Sequence, residues 1–321
     1  MSNNKKPESV HGWDTYWQGT GDVGAFSAGG VSHPAIAAFW KDFFTAIADR
    51  GQATQLLDIA TGNGAIPEMA LSILDAETTK ITCVDISEAA IDNVEQRFPG
   101  TVGVVADARS IPLDSGRFNL VTSQFGVEYA GLKAINEAAR LVSNRGQLAL
   151  MLHIEGGIVH NECSASLAAI EKLQASNFVP YAIELFETGF AAVGGADRSA
   201  YEAAGSRLAP AIQAAEGIMA EYGEGVAGDT IARLYADVGR IHSDMPKYDP
   251  DEVLEWLRKM DHELSAYAER MSAMMDAAIA AAPFEQICKE LESSGFTLVK
   301  AAPLITTTES PAIAWILVAT R

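Results

Sequence analysis

The chain has 321 residues, 48% of them hydrophobic, which is enough to bury a substantial core and excludes a wholly disordered polymer. It carries 42 acidic against 23 basic residues, a formal net charge of −19. Such a surface repels phosphate backbones and anionic membranes, and no Lys/Arg run offers a local basic groove, so neither nucleic acid nor membrane is an expected partner. In chain order, the opening MSNNKKPESVHGWD lacks an apolar h-region, and no run of eighteen apolar residues follows anywhere, so the chain reads as cytoplasmic. Cys83, Cys163 and Cys288 lie far apart with no CxxC, which speaks against a disulfide framework or a zinc site. Residues 1–33 read as an irregular arm holding Trp13, Tyr16, Trp17 and Phe26.

From His33-Pro34 the pattern IAAFWKDFFTAIADRG has helical spacing and stops at Gly51. Strands and helices then alternate: QLLDIA, a helix from about Gly64, ITCVDI, the helix SEAAIDNVEQRF, VGVVAD, FNLVTSQF, the helix AINEAARLVS and GQLALMLHI. Apolar runs separated by helices predict an α/β fold, a parallel sheet covered on both faces. Residues 155–282 lose the strand signal and hold 21 acidic and 9 basic residues, a net of −12. They read as a helical insertion. Its longest element opens at Asp249-Pro250-Asp251-Glu252, and Val253, Leu257, Met260, Leu264, Tyr267, Met271, Met274 and Ala278 follow at steps of four and three, a seam that wants a partner helix. The Met stripe suits core packing first and an adaptable pocket second. After the helix FEQICKELESSGF, TLVKAAPLI and AIAWILVATR are joined by too short a link for a crossover, so they should pair antiparallel. The expected organisation is an arm over 1–33, an α/β core over 34–154, the insertion over 155–282 and the end of the core over 283–321.

The segment Leu56-Leu57-Asp58-Ile59-Ala60-Thr61-Gly62-Asn63-Gly64 runs an apolar strand into a Gly-x-Gly turn that opens a helix. The glycines permit tight dihedrals and a close approach to a ligand, though an ordinary βα turn looks similar. A dinucleotide site expects a third glycine where Pro67 stands, and Asp58 at the strand end would repel a pyrophosphate yet suit an ammonium group. Asp85 ends the next strand, 21 residues after Gly64, where a carboxylate serves either as a helix cap or as acceptor for vicinal ribose hydroxyls. Asp107 ends the third strand and can accept from an exocyclic adenine amine. Gln124 ends the fourth. Acids at successive strand ends, with Gly-x-Gly at the first, mark the edge where open α/β sheets bind ligands.

The segments LLDIATGNG, ITCVDISEAAI, VVADARSIPLDSGRFNLVTSQFGVEY and AARLVSNRGQLAL resemble, in order and spacing, the successive motifs of the class I S-adenosylmethionine-dependent methyltransferases, nearest to the small-molecule branch with the ubiquinone/menaquinone enzymes. That resemblance implies a Rossmann-like seven-stranded sheet, mostly parallel with an antiparallel last strand and here a large helical insertion. It implies S-adenosylmethionine as cofactor, with S-adenosylhomocysteine as its product. Asp58, Ala60 and the Gly62-Asn63-Gly64 turn would then cradle the methionine part, Asp85 the ribose, and Ile86 the adenine face. Asp107 and Ala108 would read the adenine edge, and Gln124 would line the site near the methyl group. Where the quinone enzymes continue FGxRN, this chain has Phe125-Gly126-Val127-Glu128-Tyr129, which argues against a quinone acceptor.

Methyl transfer from a sulfonium is an in-line displacement that needs position and desolvation more than acid–base chemistry. If the acceptor must lose a proton, His153 at the end of the fifth strand is the candidate base, with a structural histidine as the alternative. The other histidines show no ligand spacing, and no metal is expected. Tyr16 and Trp17 would fold over the cofactor as a lid or pack on the domain. The insertion would cap the substrate and offer a surface for a homodimer. The leading expectation is methyl transfer to a small molecule; the alternatives are a protein or RNA methyltransferase, a non-methyl user of the fold, and an NAD-dependent reductase. No NPPY-type motif or Pro-Cys nucleophile occurs, which argues against the macromolecular substrates.

Overall fold

A computed structural model describes Trp17 and residues 33–307 and 309–321. The chain forms two compact units, one made of the described residues up to Asn161 together with Ala273–Arg321, the other of Glu162–Ser272.

The first unit is built on a sheet of seven strands in the order β3-β2-β1-β4-β5-β7-β6. The strands are β1 (Thr54–Ile59), β2 (Thr79–Asp85), β3 (Val102–Val105), β4 (Phe118–Gln124), β5 (Val142–Leu152), β6 (Thr297–Leu304) and β7 (Ala314–Thr320). Strands β1 to β5 are parallel, while β7 runs antiparallel to both β5 and β6, as the short TTTESP link requires. This is the Rossmann-like seven-stranded sheet expected from the sequence. Period-two alternation divides the core. Leu57, Ile59, Val121, Leu148, Leu150 and Leu152 pack on one face, and Leu56, Leu120, Ala149 and Met151 on the other.

Helix α1 (Pro34–Ala48) starts where His33 Nδ1 accepts from Ala35 N, and it buries Ile36, Trp40 and Phe44 at the 3–4 spacing of an amphipathic helix. Helices α2 (Ala65–Ile73), α3 (Glu88–Arg97) and α4 (Leu132–Leu141) follow in the crossovers. Ser87 caps α3 through its side chain. The expected helix AINEAARLVS ends at Leu141, one residue before β5 begins.

The second unit is helical. Helix α5 (Ile158–Ala175) leads into it, α6 (Phe178–Val193), α7 (Ser199–Tyr222) and α8 (Thr230–Ser243) lie within it, and α9 (Pro250–Ala277) leads back out. Asp249 accepts from the backbone N–H groups of Asp251 and Glu252, so the expected cap of α9 forms. Val253, Leu257 and Leu264 of the seam join Phe186, Leu208, Leu234 and Val238 in the unit's core, while Met260 and Tyr267 pack against it. The last turn of α9 and helix α10 (Ala281–Ser293) belong to the first unit. Among the described residues no helix is long and apolar enough to cross a membrane.

Candidate cofactor and acceptor site

The strand order reverses between β1 and β4, and the carboxyl ends of β1, β2 and β4 meet there. The turn after β1 is wound tightly, with Ala60 at φ 54°, Gly62 at φ 52° and Gly64 at φ 85°. Thr61 N donates to Val84 O and Gly64 N donates to Thr61 O, so the turn is bound both to β2 and to itself. Asp85 joins the two loops: its Oδ2 accepts from Gly62 N and its Oδ1 from Ser87 N, each at 2.9 Å. At Gly62 a Cβ would stand 2.7 Å from the Trp17 ring, so the indole lies against the turn. Trp17 is buried, and its carbonyl accepts from Asn93 Nδ2 at 3.0 Å.

Opposite the turn, Gly126 lets two backbones close up, since a Cβ there would fall 2.4 Å from Ala60 Cβ. Phe125, just before it, holds a left-handed φ of 53°. Ala60 and Phe125 are both non-glycine residues in that region, and strained conformations of this kind gather at ligand sites. Ser123 Oγ ties the strands together by donating to Ile59 O (2.7 Å) and accepting from Val127 N (3.2 Å). That second bond starts the short 3₁₀ turn Val127–Ala130, which carries Glu128 and Tyr129.

These elements enclose a cavity of about 570 Å³, within the usual range for small-molecule sites. Ala60, Gly62, Asp85 and Ile86 form one wall, and Ala106, Asp107, Ala108 and Arg109 another. Phe125, Gly126, Glu128 and Tyr129 supply a third, with Trp17 and Ala273, Asp276 and Ala277 of α9 completing it. Four carboxylates and one guanidinium therefore face the space. That guanidinium is already engaged: Arg109 grips Asp107 through Nε (3.0 Å) and Nη2 (2.6 Å) and holds its carboxyl below the usual range. The remaining field is negative and favours a cationic guest.

Asp58 lies beneath the turn and is not one of the walls. Its carboxylate is 1% exposed and accepts from Thr122 Oγ1 at 2.9 Å. Burial pushes its pKa up to about 7, against the opposing hydrogen bond of Thr122.

Glu128 and His153 form a buried pair. Glu128 Oε1 accepts from the backbone N–H of His153 (2.8 Å) and from its Nδ1 (2.7 Å). The His153 ring lies 4.5 Å from the Phe125 ring and 5.6 Å from Tyr129. Glu128 Oε2 is buried and has no hydrogen-bond partner among the described residues. Leaving such an oxygen unserved costs about 1–3 kcal/mol or more for a charged group.

Of the residues expected from sequence, Ala60, Gly62, Asp85, Ile86, Asp107, Ala108 and Trp17 line the cavity. Asn63 and Gly64 shape the turn from behind: Asn63 is buried, its carbonyl accepts from Arg97 Nη1, and Gly64 caps α2. Tyr16 lies outside the described residues. Three expectations meet a different geometry, the first being Asp58, which does not line the cavity. Gln124 Oε1 accepts from Trp40 Nε1 at 2.5 Å and is not a wall, because the fully buried indole needs an acceptor. His153 is 1% exposed and sits behind Glu128, which holds its ring, so the cavity meets the carboxylate and not the imidazole. Glu128, Arg109 and Asp276 were missed. The one available signal was Glu128, which stands where the FGxRN pattern has Arg. Among the described residues no group of His, Cys, Asp and Glu is arranged to hold a metal.

Residues 57–150 match the family model of a methyltransferase domain. That match indicates S-adenosylmethionine as the cofactor. The walls suit it: the carboxylate set favours a sulfonium. Among solved structures, the CurJ carbon methyltransferase aligns at 12% identity over 89% of this chain and 55% of its own, with a TM-score of 0.44. The geranyl diphosphate C-methyltransferase of Streptomyces coelicolor A3(2) aligns at 16% identity over 47% of this chain and 66% of its own, TM-score 0.37. A SAM-bound amino pentose methyltransferase from Micromonospora echinaspora aligns at 24% identity over 36% and 53%, TM-score 0.29. This chain thus spans about half to two thirds of the structures it matches. No curated protein matches it.

Proposed function

We propose that this protein transfers a methyl group from S-adenosylmethionine to a small-molecule acceptor. The observation that carries the reading is the carboxylate-walled cavity at the strand-order reversal, with Asp85 bridging the Gly62 and Ser87 amides. When bound, the cofactor supplies a methyl already activated by a positive sulfur. The chain then has four tasks. Asp85 accepts from the ribose hydroxyls. Ile86 and Ala108 pack on the adenine, and Asp107 accepts from its amine. Trp17 covers the Gly62 turn and excludes water, which strengthens every charge interaction inside. The negative field of Asp58, Asp85 and Glu128 favours the cationic cofactor over its neutral product and so assists product exchange.

A small acceptor, and not nucleic acid, fits a chain of net charge −19. The helical unit Glu162–Ser272 is proposed to choose that acceptor, since it has no place in the cofactor motifs. Calorimetry with S-adenosylhomocysteine, with NAD as control, tests the reading. Binding of the first with loss of affinity on Asp85→Ala, about 1.5–3 kcal/mol for bonds to a charged acceptor, is expected. Binding of NAD alone would refute it.

A further inference from the structure

We infer that Glu128 recognises the methyl acceptor and takes its proton, and that the acceptor is therefore a protic oxygen or nitrogen centre; this rests on the methyl-transfer reading. The carboxylate is held by one oxygen, while the other is buried beside the cavity with no hydrogen-bond partner among the described residues. Oε1 takes both N–H donors of His153, backbone and Nδ1, so the side chain cannot turn away from the wall without breaking both bonds. Oε2 has no hydrogen-bond partner among the described residues, although Glu128 is only 5% exposed and lines the cavity. Buried acceptors are served somewhere, and here an O–H or N–H of a ligand is the group that serves it. The guanidinium among the walls does not compete, because Arg109 is bound to Asp107. Phe125 and Tyr129 flank Glu128 in the wall and supply apolar surface for the rest of the acceptor.

The transfer then balances. The acceptor's O–H or N–H bond breaks, and the proton passes to Oε2. The freed electron pair forms the bond to the methyl carbon, while the carbon–sulfur pair stays on sulfur, which turns from sulfonium to neutral thioether. Glu128 is the catalytic base in this scheme and His153 a positioning residue, where the sequence had suggested His153 as the base.

The test uses matched probes on the full chain with S-adenosylhomocysteine present: phenol against anisole, and aniline against N,N-dimethylaniline, titrated by ligand-observed NMR. The protic member of each pair is expected to bind at least about tenfold tighter, because a site built to meet a donor rejects the analogue that lacks it. Glu128→Gln keeps the Oε1 acceptor but turns Oε2 into an NH₂ donor. It should abolish or invert the preference while affinity for S-adenosylhomocysteine stays within about threefold. With S-adenosylmethionine and the preferred probe, Glu128→Gln should lower kcat by about 10²–10⁴, the range for a general base. His153→Asn should lower kcat with KM and product affinity held. No preference in the wild-type protein, or one that survives in Glu128→Gln, overturns the assignment, and the wild-type arm decides even if a variant melts early. Failure of S-adenosylhomocysteine to bind is read in its own titration and sinks the methyl-transfer reading instead.

Discussion

Asp58 offers a test that reads the cavity's electrostatics without an acceptor. Its carboxyl has a pKa of about 7 in the fold against 3.8 in an open chain, with burial the main cause and the charge of Asp85 a lesser one. The folded state therefore holds a proton that the unfolded state releases between about pH 4 and 7. Stability from this group is present in full below pH 4 and is lost as pH rises through 7. The difference of about 3 pKa units sets an upper bound of roughly 4 kcal/mol on the penalty at pH 8. Asp58→Asn keeps the acceptor oxygen for Thr122 Oγ1 and removes the charge. The free variant should match the wild type at pH 4 and exceed it increasingly toward pH 8, as measured by denaturant melts at one-unit intervals. Cofactor binding should show the opposite trend. A cationic guest favours the carboxylate, so wild-type affinity for S-adenosylmethionine rises with pH up to about 7 and levels off. Asp58→Asn flattens that curve and weakens binding at pH 8. A stability difference that is constant from pH 4 to 8 would refute the assigned ionisation, and a flat wild-type affinity would refute the coupling.

Gly62→Ala drives a methyl into the Trp17 ring at a left-handed φ, so it should weaken S-adenosylhomocysteine binding at least about tenfold by calorimetry; Trp17→Ala in the same chain should restore part of the loss. Gln124→Ala strands the buried Trp40 N–H and should cost about 1–3 kcal/mol of stability in denaturant melts while cofactor affinity holds; a selective loss of affinity would return Gln124 to the site. Replacing residues 162–272 by a short Gly/Ser linker should leave S-adenosylhomocysteine binding intact and abolish turnover of the native acceptor, checked by calorimetry and a methyl-transfer assay.

The legible parts of this molecule are those written within a few residues of one another. Apolar runs of LLDI and TCVD type mark β1 and β2, and glycines at Gly62 and Gly64 mark a turn whose dihedrals demand them. Of the acids at the strand ends, Asp85 and Asp107 line the cavity and Asp58 does not. The illegible parts depend on register between distant segments. Gln124 pairs with Met151 across β4 and β5, and that alignment brings Glu128 and His153, each a few residues further on, to hydrogen-bond distance. A sequence reading sees a histidine at a strand end and assigns it to the cleft. It cannot see that a glutamate 25 residues earlier already occupies the cleft side and holds the ring behind it. The same holds for Gln124, whose partner Trp40 lies 84 residues away. Asp276 escaped because the seam on α9 drew attention to Met271 and Met274, while Ala273, Asp276 and Ala277 line the cavity. The cofactor recognition we propose uses backbone turns and strand ends, which sequence encodes locally. The acceptor recognition we propose uses side chains assembled across the sheet, and so it is read from the unserved oxygen of Glu128 and not from any motif.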